Sequence, residues 1–183
     1  MRRLGTSMAR IPRQTDPTRQ EAVGGSLCRR DVRAGKKRGD NIGKTKRGKG
    51  TKLVVVGSSK SIPLAQTLHS ASPSATKMIE PTMNKLTGKP KRAIMDKEFD
   101  SDKFRDKIAA RGSDPIIPYR ENAVERRYDD GRKMRRYKRR WVVERLFAWL
   151  GNFRRLVTRY ERKTMMYQAF VHVAFMLITL RQL

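Results

Sequence analysis

Apolar positions fall into short runs through the first two thirds of the chain and into helical stripes at its end. Leu53 to Gly57, LVVVG, is a β-branched run that predicts a buried strand. The turn SSKS (58–61) leads into IPLAQTLHS, which reads as its antiparallel partner. Met78, Ile79, Met83 and Leu86 then predict a short helix after a capping serine, interrupted near Pro81. Arg92 to Met95, RAIM, is a third, short strand that ends in Asp96. Phe104 and Ile108 lie at helical spacing, with Ser101 as a cap and Gly112 as a stop. Ile116 and Ile117 predict another short strand, and residues 120–132 read as a polar loop. Val143, Leu146, Phe147 and Leu150 follow the i, i+3, i+4, i+7 pattern of a half-buried helix. Met165 to Leu180 is apolar nearly all the way round, which predicts a helix enclosed by protein. Near the start, residues 22–28 read as a strand weakened by Gly24 and Gly25. Strands alternating with helices, and helices at the end, indicate an α/β domain.

Charge changes the picture most. The chain has 183 residues, with 44 Lys and Arg against 17 Asp and Glu, a net charge of +27. A field of that size attracts polyanions, nucleic acid first. Residues 29–52 hold eleven Lys or Arg, only Asp31 and Asp40 as acids, and five glycines. A Gly-Lys pattern cannot pack a core, but it lets backbone amides approach phosphates. Lys44, Lys46, Arg47 and Lys49 of GKTKRGKG are the candidate DNA-backbone contacts; a solvated basic loop is the plainer reading. Residues 1–21 have no periodicity and contain Pro12 and Pro17, so they read as a disordered leader. Residues 22–183 then form one domain, with 22–52 as its basic, glycine-rich loop region. The single Cys28 excludes an intramolecular disulfide and fits a reducing compartment. The 16-residue run Met165 to Leu180 contains Gln168 and His172 and falls short of the roughly 20 residues needed to cross a bilayer. No membrane association is expected.

Glu144 stands where the basic run meets the apolar stripe. At 100° per residue, Tyr137 lies about 20° from it, Arg140 about 40°, and Arg155 about 20° if the helix continues that far. Three side chains thus share a face bordering the core. A rigid carboxylate beside guanidinium groups is what metal-assisted phosphoryl transfer needs; an i,i+4 pair with Arg140 is the plainer alternative. Asp96 ends a strand, where α/β sheets place ligands. Asp100 and Asp102 read as turn and helix-cap residues.

At these residues the chain resembles the DDE transposases of bacterial insertion sequences, the group with a Y-x2-R-x3-E signature. GKTKRGKGTKLVVV, SIPLAQTLHSASP, MDKEFDSDKFRDKIAARG, RRYKRRWVVERLFAWLGNFRRLVTRYER and YQAFVHVAFMLITLR look like that family's blocks in order. The resemblance implies a ribonuclease-H-like mixed sheet flanked by helices. It also implies two divalent ions, Mg²⁺ or Mn²⁺, held by two aspartates and a glutamate for DNA cleavage and strand transfer. Carried over, the second aspartate falls on Asp96 and the glutamate on Glu144, as catalytic residues and metal ligands. Tyr137 and Arg140 fall on the signature's DNA-contacting tyrosine and arginine. The signature's lysine, after six intervening residues, falls on Gly151, leaving Arg154 or Arg155 as replacement donors. The first aspartate, expected in an Asp-Gly-Ser/Thr segment, is matched by Gly24-Gly25-Ser26, so the site and first strand are expected to be incomplete. A truncated transposase that binds DNA, terminal inverted repeats and target alike, but cuts it poorly is the resulting expectation. It would act in the bacterial cytoplasm, as a possible homo-oligomer.

Other candidates weigh less. His69 and His172 lack ligand-spaced neighbours, and His172 reads as a core or interface histidine. Trp141 and Trp149 read as core anchors before base-stacking platforms. A non-enzymatic basic nucleic-acid-binding protein also explains the charge, but leaves the shared face of Tyr137, Arg140 and Glu144 unexplained.

Overall fold

A computed structural model describes residues 21–30, 39–45, 48–123, 126–128 and 130–182. The leader read over 1–21 therefore lies outside the described residues, except for Glu21, which opens the first strand. So do Lys46 and Arg47.

Six strands form one mixed sheet: β1 (Glu21–Arg30), β2 (Gly43–Thr45), β3 (Gly48–Ser58), β4 (Pro63–Ser70), β5 (Arg92–Met95) and β6 (Asp114–Ile116). β3 is the hub. It pairs antiparallel with β1 on one side, and with β4 and then β2 on the other. β5 runs parallel to β1, and β6 parallel to β5. The parallel pairs are reached through helical crossovers, α1 (Ala75–Met83) and α2 (Asp102–Ala110).

Alternation along β3 divides the core in two. Val54 and Val56 face Met78 and Ile79 of α1 and Phe104 and Ile108 of α2. Leu53 and Val55 face Leu146 and Leu150 of α4 (Trp141–Gly151) and Val171 and Ile178 of α6 (Thr164–Leu180). The sheet is thus sandwiched between helix layers, and its central strand is buried on both faces.

Several local expectations change. α1 runs through Pro81 to Met83; so late in the helix the proline removes one hydrogen bond, and the Asn84 N–H still reaches the Glu80 carbonyl at 3.0 Å. The supposed basic loop of residues 22–52 carries strands. β1 spans its first part, and Gly43–Thr45 folds back on the start of β3 as a ribbon, with Lys44 opposite Lys49. Gly43 fits there because any Cβ would collide with Ser70 and Ser72. The polar stretch before α4 ends in α3 (Gly131–Tyr137), capped by Asp130, whose side chain accepts from the Arg132 N–H at 2.8 Å. A 3₁₀ turn, Lys138–Arg140, joins α3 to α4. α6 is not enclosed: Met166, Phe170, Val173, Leu177 and Leu180 point outward.

Serines build the β3–β4 turn. Ser61 takes φ 62°, a left-handed conformation that favours glycine, and its hydroxyl donates to the Val142 carbonyl of α4 at 3.2 Å. The Ser58 hydroxyl accepts from the Lys60 and Ile62 amides.

A buried guanidinium closes the far end. Arg159, fully buried, donates to the Thr51 hydroxyl, to the Glu161 and Arg162 carbonyls (both 3.0 Å) and to the Thr164 hydroxyl at 3.3 Å. The Asp40 amide and carbonyl bond the same segment, to Arg162 and Thr164. These bonds fasten the base of the ribbon to the entry of α6.

Candidate active site

β5 stops at Met95 because Asp96 turns the chain. Its Oδ1 accepts from the Lys97 amide at 2.7 Å and caps a single 3₁₀ turn, Lys97–Phe99, that Phe99 anchors in the core. The carboxylate is left at the C-terminal edge of a parallel strand, half exposed.

The connection from α3 to α4 brings the other groups to it. The Tyr137 hydroxyl donates to Asp96 Oδ1 at 3.0 Å, and Arg140 Nη1 donates to the same oxygen at 2.9 Å. Arg140 Nη2 meets Glu144 Oε1 at 2.8 Å. Arg140 therefore bridges the two carboxylates, one from the sheet and one from the helix, with its guanidinium 5.5 Å from the Tyr137 ring centre. Val142 and Val143 pack on Ile94 and Ile116 beneath, which fixes the helix against the strand end. The predicted grouping of Tyr137, Arg140 and Glu144 is present, and Asp96 joins it.

Electrostatics follows from this packing. Burial raises the Tyr137 phenol above its usual range, and the Asp96 charge raises it further, so the hydroxyl stays a donor. Burial, the largest single influence, would lower Arg140, but the charge and hydrogen bond of Asp96, the Tyr137 hydroxyl and the Glu144 charge together outweigh it and the net direction is upward.

β1 carries Gly24, the position where the expected first aspartate is missing, beside β5. Gly24 pairs with Met95, the last pair in register between β1 and β5, and Asp96 follows Met95. Gly25 pairs with Val55, on the α4–α6 face, whereas Gly24 pairs with Val56, on the face of α1 and α2. Position 25 shares the face of Asp96; position 24 lies on the other. Among the described residues, no group of three or more His, Cys, Asp or Glu is placed to hold a metal ion. Among the described residues Asp96 and Glu144 supply two carboxylates here, enough for part of a divalent site but not for two fully ligated ions.

Other expected residues disperse. Lys44 and Lys49 are exposed on the ribbon. Arg154 and Arg155 do not lie on the Glu144 helix, because α4 ends at Gly151 and Phe153 is extended before the separate α5 (Arg154–Val157). Arg155 sits 3.5 Å from Glu161. Trp141 is 46% exposed and is not a core anchor; Arg145 stacks 4.1 Å from its ring and 5.8 Å from that of Trp149, which does pack against the core. His172 is exposed and accepts from Gln66 Nε2 at 2.7 Å.

Sequence reasoning missed a network behind the site. Asp100 and Asp102 pair with the fully buried Arg105, at 2.8 and 3.0 Å, and Arg105 also donates to the Ile117 carbonyl and lies 3.8 Å from the Tyr119 ring centre. The only local signal was the i,i+3 spacing of Asp102 and Arg105.

Among the described residues, no helix is long and apolar enough to cross a membrane. The chain is 37% identical over 90 residues to "Putative transposase for insertion sequence element IS402" of Burkholderia cepacia, a match covering 49% of this chain and 39% of that one. The chain thus spans about two-fifths of the length of that relative. A solved piggyBac transposase synaptic complex with hairpin DNA is 10% identical and aligns over 60% of this chain and 26% of its own at a TM-score of 0.42, too slight a likeness to argue from. The transposase DDE domain model matches residues 13–179. With that match running over most of its length, the chain belongs to the transposase DDE domain family.

Proposed function

We propose that this chain is the catalytic-domain portion of an insertion-sequence transposase that holds DNA but whose metal site is left one carboxylate short. The carrying observation is the convergence of Asp96, Tyr137, Arg140 and Glu144 at the end of β5, opposite two glycines of β1. The topology supports a ribonuclease-H-like domain: an antiparallel β4–β3–β1 meander continued by parallel β5 and β6, with helices on both faces.

Asp96 and Glu144 are the residues that would hold Mg²⁺ or Mn²⁺. When bound, a divalent ion supplies Lewis-acid stabilisation of phosphate charge and a nucleophile at neutral pH. Arg140, already directed between the carboxylates, would neutralise the phosphate undergoing cleavage, and Tyr137 would orient Asp96 through its hydroxyl. Lys44 and Lys49 face each other on an exposed ribbon, an unfavourable like-charge pair that a bridging phosphate relieves. The exposed Trp141, stacked with Arg145, offers a surface for an unpaired base. Terminal inverted repeats and target DNA are the partners this reading implies.

The test is calorimetric Mn²⁺ binding and nicking of supercoiled DNA by the wild type, Asp96→Asn, Glu144→Gln, Gly24→Asp and Gly25→Asp. Weak binding that either carboxamide abolishes, and that Gly25→Asp tightens more than Gly24→Asp, is the expected pattern. Metal binding indifferent to Asp96 and Glu144 would sink the site. DNA affinity unchanged by Mg²⁺, with no nicking in any variant, would instead favour a basic DNA-binding protein without catalysis.

A further inference from the structure

We propose that the cleft between the C-terminal ends of α1 and α2 binds the phosphodiester backbone of a DNA segment other than the one that reaches Asp96. The cleft has a volume of about 330 Å³, at the low end of small-ligand clefts, which gives room for one nucleotide unit. Asn84, Thr87, Lys89 and Arg111 line it, together with the buried Met83 and Pro90. Its walls are fastened to each other. The buried Ser113 hydroxyl donates to the Pro90 carbonyl at 2.5 Å, and the Asp114 amide to the Lys91 carbonyl at 2.9 Å, so the chain after α1 is tied to the chain after α2. Arg111 Nη2 donates to Asn84 Oδ1, which ties the half-buried guanidinium to the end of α1.

The lining selects an anion. With its oxygen taken, the Asn84 amide has only N–H groups to offer; Lys89 and Arg111 carry donors alone, and the Thr87 hydroxyl turns to suit. The charges are not compensated. Among the described residues, Lys89, Arg111 and the neighbouring Lys91 form no ion pair, and Glu80, one turn before Asn84, has both oxygens on Lys107 at 2.9 and 2.8 Å. Nor do these cations serve as helix caps. The amides of Asn84, Lys85 and Leu86 already meet carbonyls in the last turn of α1, and those of Arg111, Gly112 and Ser113 do the same for α2. A chain of net charge +27 meets phosphate chiefly as nucleic acid. The exposed Lys91, just beyond the cleft along the chain, suits the next phosphate of a polymer, which a free ion does not have. Pro90 precedes β5 and Asp96 follows it, roughly 20 Å apart at the rise of a strand. Duplex DNA has a persistence length of about 150 base pairs, so a short one cannot turn round the sheet to serve both edges. The cleft has no carboxylate in its lining and needs no ion, so it stands apart from the reading of Asp96 and Glu144 as a divalent site.

Two short duplexes, one immobilised and one fluorescent, test this with the full chain in EDTA. The wild type should capture the second duplex on the first. Lys89→Gln combined with Arg111→Gln should weaken that capture roughly tenfold, and the slope of its log K against log salt should lose about two ions. Neither side chain belongs to the core, so the melting temperature should stay near the wild-type value. Lys77→Gln combined with Lys103→Gln, at exposed lysines outside the cleft, removes the same charge and should leave capture within about twofold. Thr87→Cys should form a disulfide with a duplex carrying a tethered thiol, in excess of any formed by the wild type through Cys28. No capture by the wild type, equal losses in the two double variants, or no excess cross-link would overturn the proposal. So would inorganic phosphate that binds in a manner dependent on Arg111 while duplex capture survives Lys89→Gln with Arg111→Gln, since the cleft would then hold a free anion.

Discussion

α4 and α6 lie side by side on one face of the sheet and contribute to one core, yet their outward faces differ completely. α4 buries Leu146 and Leu150 and turns Glu144, Arg145 and Trp141 outward, with Glu144 joined to Asp96 through Arg140. α6 buries Val171 and Ile178 and turns a second apolar seam outward. Their inward stripes differ little. What distinguishes the chemistry of the two helices is the side that packing leaves free. Buried periodicity locates a helix; its outer face states what the helix is for.

The sharpest way to break this comparison is to truncate one leucine on each kind of face. Leu146→Ala, at a position with 0% exposure, should cost about 2–5 kcal/mol in urea unfolding. Leu177→Ala, on the outer face of α6, should stay within about 0.5 kcal/mol. Equal losses would mean that both seams of α6 are core.

Arg140→Ala probes the outward face of α4. The side chain is half exposed, so the change in unfolding free energy should be about 1 kcal/mol or less. DNA affinity should fall nonetheless, and the slope of log K against log salt should lose about one ion, read by fluorescence anisotropy. Arg140→Lys should restore the slope without the bridge, because an ammonium cannot fork between two carboxylates. A DNA-binding slope unchanged in Arg140→Ala would confine this residue to structure.

The smallest effect concerns the opposite layer, remote from either helix. Burial, and then the charge of Lys85, hold His69 below its usual value, while its Nε2 shares a hydrogen bond with the Thr67 hydroxyl at 2.8 Å. The folded chain favours the neutral ring. Its contribution is therefore complete above the unfolded value of about 6.5 and is lost as pH falls through the lower folded value. The melting temperature should drop between about pH 7 and pH 5, and His69→Gln should flatten that drop. An equal drop in the variant would assign the acid sensitivity to other groups.

What could be read in the sequence follows the range of the forces involved. Leu53 to Val56 declared itself as a strand because a β-branched run needs no distant information, and RAIM was legible as a short apolar run ending in an acid. The Tyr137, Arg140 and Glu144 face was legible because the chain is helical from Gly131 to Gly151, and the 3₁₀ turn at Lys138–Arg140 shifts the angles without separating the groups. α3 itself was not, since none of its residues is buried and it leaves no apolar period. The ribbon of Gly43–Thr45 was missed for a related reason: glycine and lysine favour no strand, and only the extension of β3 supplies the pairing. For α6, apolar residues on every side fitted an enclosed helix and a helix with one exposed apolar face equally well. Arg105 and Arg159 looked like two more surface cations, because what buries them lies far off in sequence.

Arg159 also has a bearing on the order of assembly. Its partner Thr51 lies 108 residues away, and Thr164 meets Asp40 across 124. Contacts of such separation reward the chain only after the intervening loops have closed. Closing loops that long costs least once the sheet has formed, so the clasp, and the final position of the basic ribbon with it, is expected late in folding. A nascent chain released before residue 159 would carry the ribbon unfastened, its lysines present but not yet aimed.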